Sequence, residues 1–343
     1  MEQNKALIAM SGGVDSSVAA YLMLQEGIPC MGGTMLLWDT DPACLQDARS
    51  VAEKLGIPFH AFDRTKPFRD HVVEPFIRCY EEGLTPNPCM VCNRHLKFGA
   101  LLEDALALGC RWVVTGHYAR IRYENGRYLL CKAADEAKDQ SYFLAGLTQH
   151  QLAHIRFPLG ELTKLEVRSI AEEQGFINAR KKDSQDICFV PDGDYVSFMK
   201  KYTGKNYPAG DYLDLQGNVV GHHCGAVCYT LGQRKGLNLA MGKPVYVCSK
   251  DMEKNTVTVG PNEALFTHTL YATDCNWISI PSLKEPMRVT AKPRSRHAGA
   301  PATVYPEGEN IRVVFDEPQR AITPGQAVVL YSGDVVVGSG TIS

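Results

Sequence analysis

Apolar and polar positions alternate in two rhythms over the first third of the chain. Short unbroken apolar runs, "KALIAM" (5–10), "IPCMGGTMLLW" (28–38), "IPFHAF" (57–62) and "RWVVTGHY" (111–118), predict buried strands. Between them lie segments with helical spacing. "DSSVAAYLMLQEG" (15–27) ends on Gly27, and "DPACLQDARSVAEKLG" (41–56) sets Leu45, Ala48, Ala52 and Leu55 on one helical face. "ALLEDALALG" (100–109) repeats the pattern. Strand and helix in alternation predict a parallel sheet with helices on both faces, because parallel strands need a crossover that packs back on the sheet.

A hairpin is expected at "RYENGRY" (122–128), followed by helical texture from Lys138 to Tyr202 that is interrupted by the basic loop "RKKDSQDICF" (180–189). From about Tyr207 the pattern changes to brief β-rich runs punctuated by Gly, Pro and Asn, such as "VYVCSKDMEKNTVTVG" (245–260). The expected organisation is an α/β domain over 1–203, a small central β-rich domain over 204–264 and a second β-rich domain over 265–343, without repeats or low-complexity tracts.

Composition narrows the class. At 343 residues, 45% hydrophobic and 22% charged, the chain can bury cores in about two or three domains. No apolar run approaches the roughly 18 residues of a membrane span, and a glycine loop follows the first apolar run too closely for a signal sequence. A soluble, cytoplasmic protein without a membrane partner is expected. Twelve cysteines are scattered, several inside apolar runs (Cys110, Cys131, Cys248), where a free thiol behaves as a small hydrophobe. The net charge of −2 excludes a general positive coat, so nucleic acid would have to be met by local basic patches.

The first chemical signal is "SGGVDSS" (11–17), set between a strand and a helix. Gly12 and Gly13 let the backbone approach an anion, Ser11 and Ser16 offer hydroxyls, and the helix that follows directs its free N–H groups and positive dipole end at the ligand. The spacing is neither that of a Walker loop, which needs a lysine after its last glycine, nor that of a dinucleotide fingerprint. It reads as a pyrophosphate cradle, with Asp15 as the magnesium carboxylate. The second signal is "TPNPCMVCNRHLKF" (85–98). Its Cys89 and Cys92 suit a zinc site, a disulfide switch, an iron–sulfur ligand pair or a sulfur-handling site, and the segment alone leaves all four open.

The "SGGVDSS" loop resembles that of the ATP pyrophosphatase superfamily, whose members cleave ATP to AMP and pyrophosphate while adenylylating a substrate oxygen. "TPNPCMVCNRHLKF", "TGHYAR" (115–120), "KDQSYFL" (138–144), "FPLGEL" (157–162), "KKDSQDICF" (181–189), "YTLGQRKGL" (229–237) and "TPGQAVVLY" (323–331) are similar, in order, to segments of one branch, the tRNA-specific 2-thiouridylases (MnmA or TrmU family). The resemblance implies an adenine-nucleotide alpha hydrolase-like parallel-sheet domain, a small linking domain and a C-terminal β-barrel. It implies ATP and Mg²⁺ as cofactors, tRNA as substrate, and a cysteine desulfurase or sulfur-relay protein as donor. DNA is not an expected partner.

The same resemblance implies site residues. The nucleotide would meet Ala9, Met10, Ser11, Gly12, Gly13, Val14, Asp15, Ser16, Met35 and Gly116. Cys188 would carry a persulfide and Cys92 would be the second thiol, forming the catalytic set with Asp15. The tRNA would meet Asn87, Pro88, Cys89, His117, Lys138, Asp139, Gln140, Arg294, Ser295 and Gln326. Lys292, Arg294 and Arg296 alternate in "MRVTAKPRSRH" (287–297), so one strand face would present all three to phosphates. The basic run before Cys188 (Arg180, Lys181, Lys182) would favour a thiolate, opposed in part by Asp183 and Asp186.

One position departs from the family. Well-known members carry aspartate where this chain has Cys89, so the acid–base role of that aspartate does not transfer. Cys89, Cys92 and Cys188 together suggest an alternative in which three thiolates hold an iron–sulfur cluster with one open position. Zinc on Cys89, Cys92 and His95 is a weaker reading, and "GHHCGAVC" (221–228) reads as strand residues that happen to lie together. The rival function is a small-molecule adenylating ligase, which would need neither RNA nor Cys188.

Overall fold

The computed structural model describes residues 4–38, 42–181, 187–190 and 192–343. Strands β1 (Ala6–Ala9), β2 (Cys30–Leu36), β3 (Phe59–Asp63), β4 (Trp112–Val114) and β7 (Ile155–Arg156) form one parallel sheet in the order β3-β2-β1-β4-β7. Alternation along β1 divides the core. Ala6 and Ile8 join Val14, Val18 and Met23 of helix α1 (Val14–Gln25) and Ala48, Val51 and Ala52 of helix α2 (Pro42–Lys54) on one face. Leu7 joins Phe98, Leu101 and Leu102 on the other. The chain leaves β1 towards β2 on one side and later returns to β4 on the other, so the sheet has its switch point between β1 and β4.

Two long helices cover the cysteine side of the sheet, and each is wound loosely in the middle. Residues 65–81 contain a π segment at Arg69–Val73, and residues 88–107 contain one at Asn93–Ala100. Their i→i−5 bonds, Glu74 N–H to Arg69 O and Leu101 N–H to Leu96 O, mark the wider turn. Widening leaves carbonyls in need of donors. The buried Gln151 supplies them, its Nε2 donating to Arg94 O and Phe98 O at 2.8 Å each.

Helical texture expected from 138 to 202 is broken into Ser141–Leu144, Gln149–Ala153, Lys164–Glu173 and Tyr195–Thr203, with strand β7 between them. β7 has two residues and too little pattern to be read from sequence. The hairpin at "RYENGRY" is present as β5 (Arg120–Glu124) and β6 (Arg127–Cys131), turned by Asn125 and Gly126 at positive φ.

Beyond it, β8 (Gly210–Leu213), β9 (Val219–His223), β10 (Tyr246–Asp251) and β11 (Thr256–Gly260) make a four-stranded central sheet. β12 (Phe266–Trp277), β13 (Met287–Lys292), β14 (Ala300–Glu307), β15 (Asn310–Arg320), β16 (Ala327–Ser332) and β17 (Val335–Ile342) close into a barrel through the β12–β17 pairing. The α/β domain followed by two β-rich units agrees with the expected fold class. No residue pattern announces the join between them: Cys131 of β6 pairs with Val335 of β17, and Lys132 N–H donates to Asp334 O at 2.8 Å, so the first domain's hairpin extends the barrel sheet. Among the described residues no helix is long and apolar enough to cross a membrane.

Candidate active site

The loop after β1 opens at the switch point. Gly12 sits at φ +73°, and a Cβ there would lie 2.3 Å from Cys44 O, so glycine is required on both conformational and steric grounds. Gly13 is the N-cap of α1 and brings no capping side chain. The hydroxyls of Ser16 and Ser17 turn back to Gly13 O at 3.1 Å each, and Ser11 N–H donates to Ser16 Oγ at 3.3 Å. These bonds shape the loop without capping the first-turn amides, an arrangement suited to a phosphate.

Two lysines bracket this cradle, Lys164, which sequence reading did not assign, and Lys181, which it placed beside Cys188 instead. Lys164 is buried at the start of its helix, where the Thr163–Glu166 capping box fixes it, and its Nζ lies 2.6 and 2.8 Å from the two carboxylate oxygens of Asp15. Tyr118 also donates to Asp15 Oδ1, at 2.9 Å. Asp15 is thus engaged by a cation and a hydroxyl, and the arrangement does not fit an open magnesium carboxylate. On the other side Lys181 Nζ pairs with Asp47 at 2.8 Å and reaches Gly12 O at 3.4 Å, while Asn178 Nδ2 donates to Gly12 O at 3.1 Å. The only sequence clue to Lys164 is its place after "FPLGEL" and a capping-box pattern.

Lys164→Met is expected to lower stability by about 2 kcal/mol, because it leaves Asp15 charged without its cation. The double variant Asp15→Asn, Lys164→Met should recover part of that loss in urea unfolding, and strict additivity of the two changes would contradict the pairing.

Gly116 follows β4 and meets the start of α1. A Cβ there would fall 2.6 Å from Asp15 C and 2.8 Å from Ser16 N. His117, next along, accepts from or donates to Thr115 Oγ1 through Nδ1 at 2.7 Å, and its ring sits 5.9 Å from those of Phe98 and Phe157. Burial, with the charge of Lys97 adding to it, holds the His117 imidazole well below its ordinary pKa, so it is neutral at physiological pH. Met35, at the end of β2, packs against the core containing Phe98 and against the one containing Cys92, and so links the nucleotide edge to the cysteine helix.

Cys89 and Cys92 lie in the first turn of helix 88–107, which Asn87 caps by accepting from Met90 N–H at 3.3 Å. Cys92 is buried, Cys89 and Cys188 are exposed, and all three are free thiols. Cys188 comes within electrostatic reach of both others. Burial and then the two neighbouring thiols push its pKa to about 11, with Lys97 pulling the other way. Burial also raises Cys89 and Cys92, again opposed by Lys97. The resting thiols are therefore predominantly protonated at neutral pH. Of the charges expected around Cys188, Lys182, Asp183 and Asp186 lie outside the described residues, and Lys181 faces Asp47 at the cradle.

Proximity of the three thiols does not amount to a metal site: among the described residues no group of three Cys, His, Asp or Glu side chains is arranged to hold an ion. The iron–sulfur set is not formed as arranged. The zinc alternative fares no better, since His95 stacks on His71 with centroids 6.1 Å apart. In "GHHCGAVC", His222 pairs with Asp211, His223 accepts from Gly225 N–H, and Cys224 contacts the Tyr229 hydroxyl. The strand expected here stops at His223: Cys224 lies past its end and Cys228 closes a 3₁₀ turn over Ala226–Cys228.

Most residues assigned to tRNA gather at the seam between the sheet domain and the barrel, with polar atoms spent inside the protein. Gln326 donates to Thr85 O and Pro86 O at 2.9 and 3.2 Å, which fixes the segment before Cys89 to the barrel. Asp139 accepts from Ala133 N–H, Ser141 N–H and Ser141 Oγ; Gln140 accepts from Tyr118 N–H. Lys138 and Ser295 are half-buried, and Pro88 is buried in the helix turn. The basic stripe needs correction. β13 stops at Lys292, so Arg294 and Arg296 lie in the following turn, where Arg294 bends inward to donate to Arg320 O at 2.9 Å. Pro293 removes a donor from the ladder and ends the strand there.

Comparison with known proteins places this arrangement among relatives. The profile described as "tRNA methyl transferase HUP domain" matches residues 4–192, that of a "tRNA methyl transferase PRC-barrel domain" matches 196–261, and that of an "Aminomethyltransferase beta-barrel domain" matches 267–342. The chain is 48% identical to the tRNA-specific 2-thiouridylase MnmA of Clostridioides difficile over 98% of both chains. It is 50% identical to the MnmA of Moorella thermoacetica, also over 98% of both. A solved structure of a 4-thiouridine synthetase–RNA complex with bound ATP aligns with TM-score 0.38 and 17% identity, over 59% of this chain and 50% of that one.

Proposed function

From the premise that the chain belongs to the tRNA-specific 2-thiouridylases, we propose how its own residues carry out the ATP-dependent formation of 2-thiouridine in tRNA. The target is the wobble uridine of tRNAs of the Lys, Glu and Gln type, a base that a single-stranded loop can splay into a pocket at modest unstacking cost. The cradle at Ser11–Ser16 holds ATP. The uridine C2 oxygen attacks the α-phosphorus, losing the N3 proton; a P–O bond forms and pyrophosphate leaves. The C2 oxygen becomes a phosphate-ester leaving group, and one difficult substitution is split into two easier ones.

Sulfur then enters from Cys188. Its persulfide attacks C2, the C–S bond forms and AMP departs with the C–O bonding pair. The Cys92 thiolate attacks the Cys188 sulfur, so that Cys92–Cys188 becomes a disulfide and the outer sulfur stays on C2 as the thione. External thiols reduce the disulfide before the next turnover. A desulfurase or relay protein delivers the persulfide sulfur to the exposed Cys188. The single observation that carries this reading is the meeting of Cys92 with the distant segment of Cys188: Cys92 shares a core with Ile187 and Phe189, which flank Cys188.

Incubation of iron-free protein with ATP, a persulfide donor and unmodified tRNA, followed by mass spectrometry of the nucleosides, tests the route. 2-Thiouridine and AMP should appear together. Product formed only by iron-loaded protein would overturn the persulfide route, and AMP formation without RNA would favour the small-molecule ligase.

A further inference from the structure

The cysteine helix carries a cation that the route above leaves unused. Lys97 lies one wide turn beyond Cys92, inside the π segment Asn93–Ala100. It is half-buried, and among the described residues it has no hydrogen-bond or ion-pair partner. A half-buried lysine without a carboxylate is costly and is retained where an anion arrives. Cys92 shares one core with Leu96, Ile187 and Phe189, the last two flanking Cys188, and the Phe98 ring beside Lys97 lies 5.9 Å from that of His117. The charge of Lys97 acts on all three groups and on Cys89, while Arg94 on the same helix points towards Asp274, 3.8 Å away.

The backbone explains how Lys97 reaches that position. In a regular α-helix residues three and four apart share a face, whereas the i→i−5 register brings residue 97 under residue 92. This register is held by the Gln151 amide, whose two bonds go to Arg94 O and Phe98 O on either side of Lys97. Thr148 fixes Gln151 in turn through a reciprocal capping box. The wide turn is thus a built feature with its own clamp.

We propose that Lys97 is the shared counter-ion of the sulfur-transfer site: it holds whichever of Cys188 and Cys92 bears the anionic sulfur, and it keeps charge off His117. This rests on the proposed route only for its catalytic consequence. At the first sulfur step the anion is the Cys188 persulfide, and at the second it is the Cys92 thiolate. Three thiols within one another's fields resist ionising together, so a single shared cation lets one ionise at a time. Gln151 acts through the backbone and is a positioning residue.

The test uses the full chain with Lys97→Met, which keeps the aliphatic stem, and Lys97→Arg, which keeps the charge. The rate of iodoacetamide modification of Cys92 and Cys188, followed by peptide mass spectrometry from pH 7 to 11, reads thiolate formation without tRNA or ATP. The His117 titration is read by NMR of labelled histidine. In Lys97→Met both midpoints should move upward by about one pH unit, because removal of a cation disfavours the thiolate and favours the imidazolium. Thiolation at pH 7 should fall about 10-fold or more, and Lys97→Arg should restore most of both.

Gln151→Met should move the same midpoints in the same direction by a smaller amount. Lost thiolation with unchanged alkylation and histidine profiles would reduce Lys97 to a packing role and overturn the proposal, as would wild-type behaviour of Lys97→Met. Since alkylation needs no substrate, failure of the persulfide route would leave this result readable.

Discussion

Cys188→Ser should abolish 2-thiouridine formation, with a loss of about 10³-fold or more, while tRNA-dependent release of AMP continues at a reduced rate. The two halves of the reaction lie on different parts of the fold, which is why they separate. In the proposed route adenylylation draws on the cradle after β1, whereas Cys188 lies in a segment beyond the Lys164–Glu173 helix. Serine retains size and a hydroxyl but cannot hold a persulfide. With no sulfur delivered, the adenylylated uridine meets only water and returns to uridine. Cys92→Ser should differ: the first C–S bond can still form, and tRNA should remain covalently attached through Cys188 until an added thiol releases it. Gel analysis with and without dithiothreitol separates the two variants. Equal 2-thiouridine from wild type and Cys188→Ser would defeat the assignment.

Gly116→Ala is the second large effect, and it acts on the other half. The added methyl would sit 2.6 Å from Asp15 C and 2.7 Å from its Cβ. The atoms in the way belong to the first turn of α1, which cannot retreat without moving the cradle or breaking the Lys164–Asp15 pair. Overpacking of this kind costs about 1–3 kcal/mol and displaces the groups that receive the phosphates. AMP formation should fall about 100-fold, since misplacement by about 1 Å has that order of effect. Cysteine alkylation in the same variant should stay near wild type, because helix 88–107 packs on the opposite face of the sheet. A variant with normal AMP formation would remove Gly116 from the site.

The parallel sheet was legible because apolar runs of strand length alternated with helical spacing, and the loop at Ser11–Ser17 was legible because few other uses need two glycines among serines at a strand's end. What was not legible depends on register and partners. The basic alternation at 292, 294 and 296 suggested one strand face, yet a single proline ended the strand and turned Arg294 into the protein. Asp15 had the type and place of a metal ligand, but nothing nearby in sequence announced Lys164 as its partner. Gln326 and Asp139 were assigned to RNA through the family resemblance, and their internal bonds, to Thr85 O and Pro86 O and from Ala133 N–H and Ser141, were beyond its reach. The π segment at Asn93–Ala100 left no sequence mark, because its stabilising amide comes from Gln151, on a separate helix.

The pairing of Cys131 with Val335 also has a consequence in time. A chain made from its amino terminus completes the phosphate cradle and the cysteine helix long before β17 exists. During that interval the β6 strand has only its hairpin partner β5 beside Cys131, and the segment at Thr85 and Pro86 lacks the bonds that Gln326 later supplies. Residues some 200 positions further along the chain are thus the ones that fasten the segment before Cys89 and the β6 strand. Synthesis cut short before β16 would release a chain with all of its thiols and none of that fastening, so the cysteine segment becomes fully framed only after the barrel strands are made.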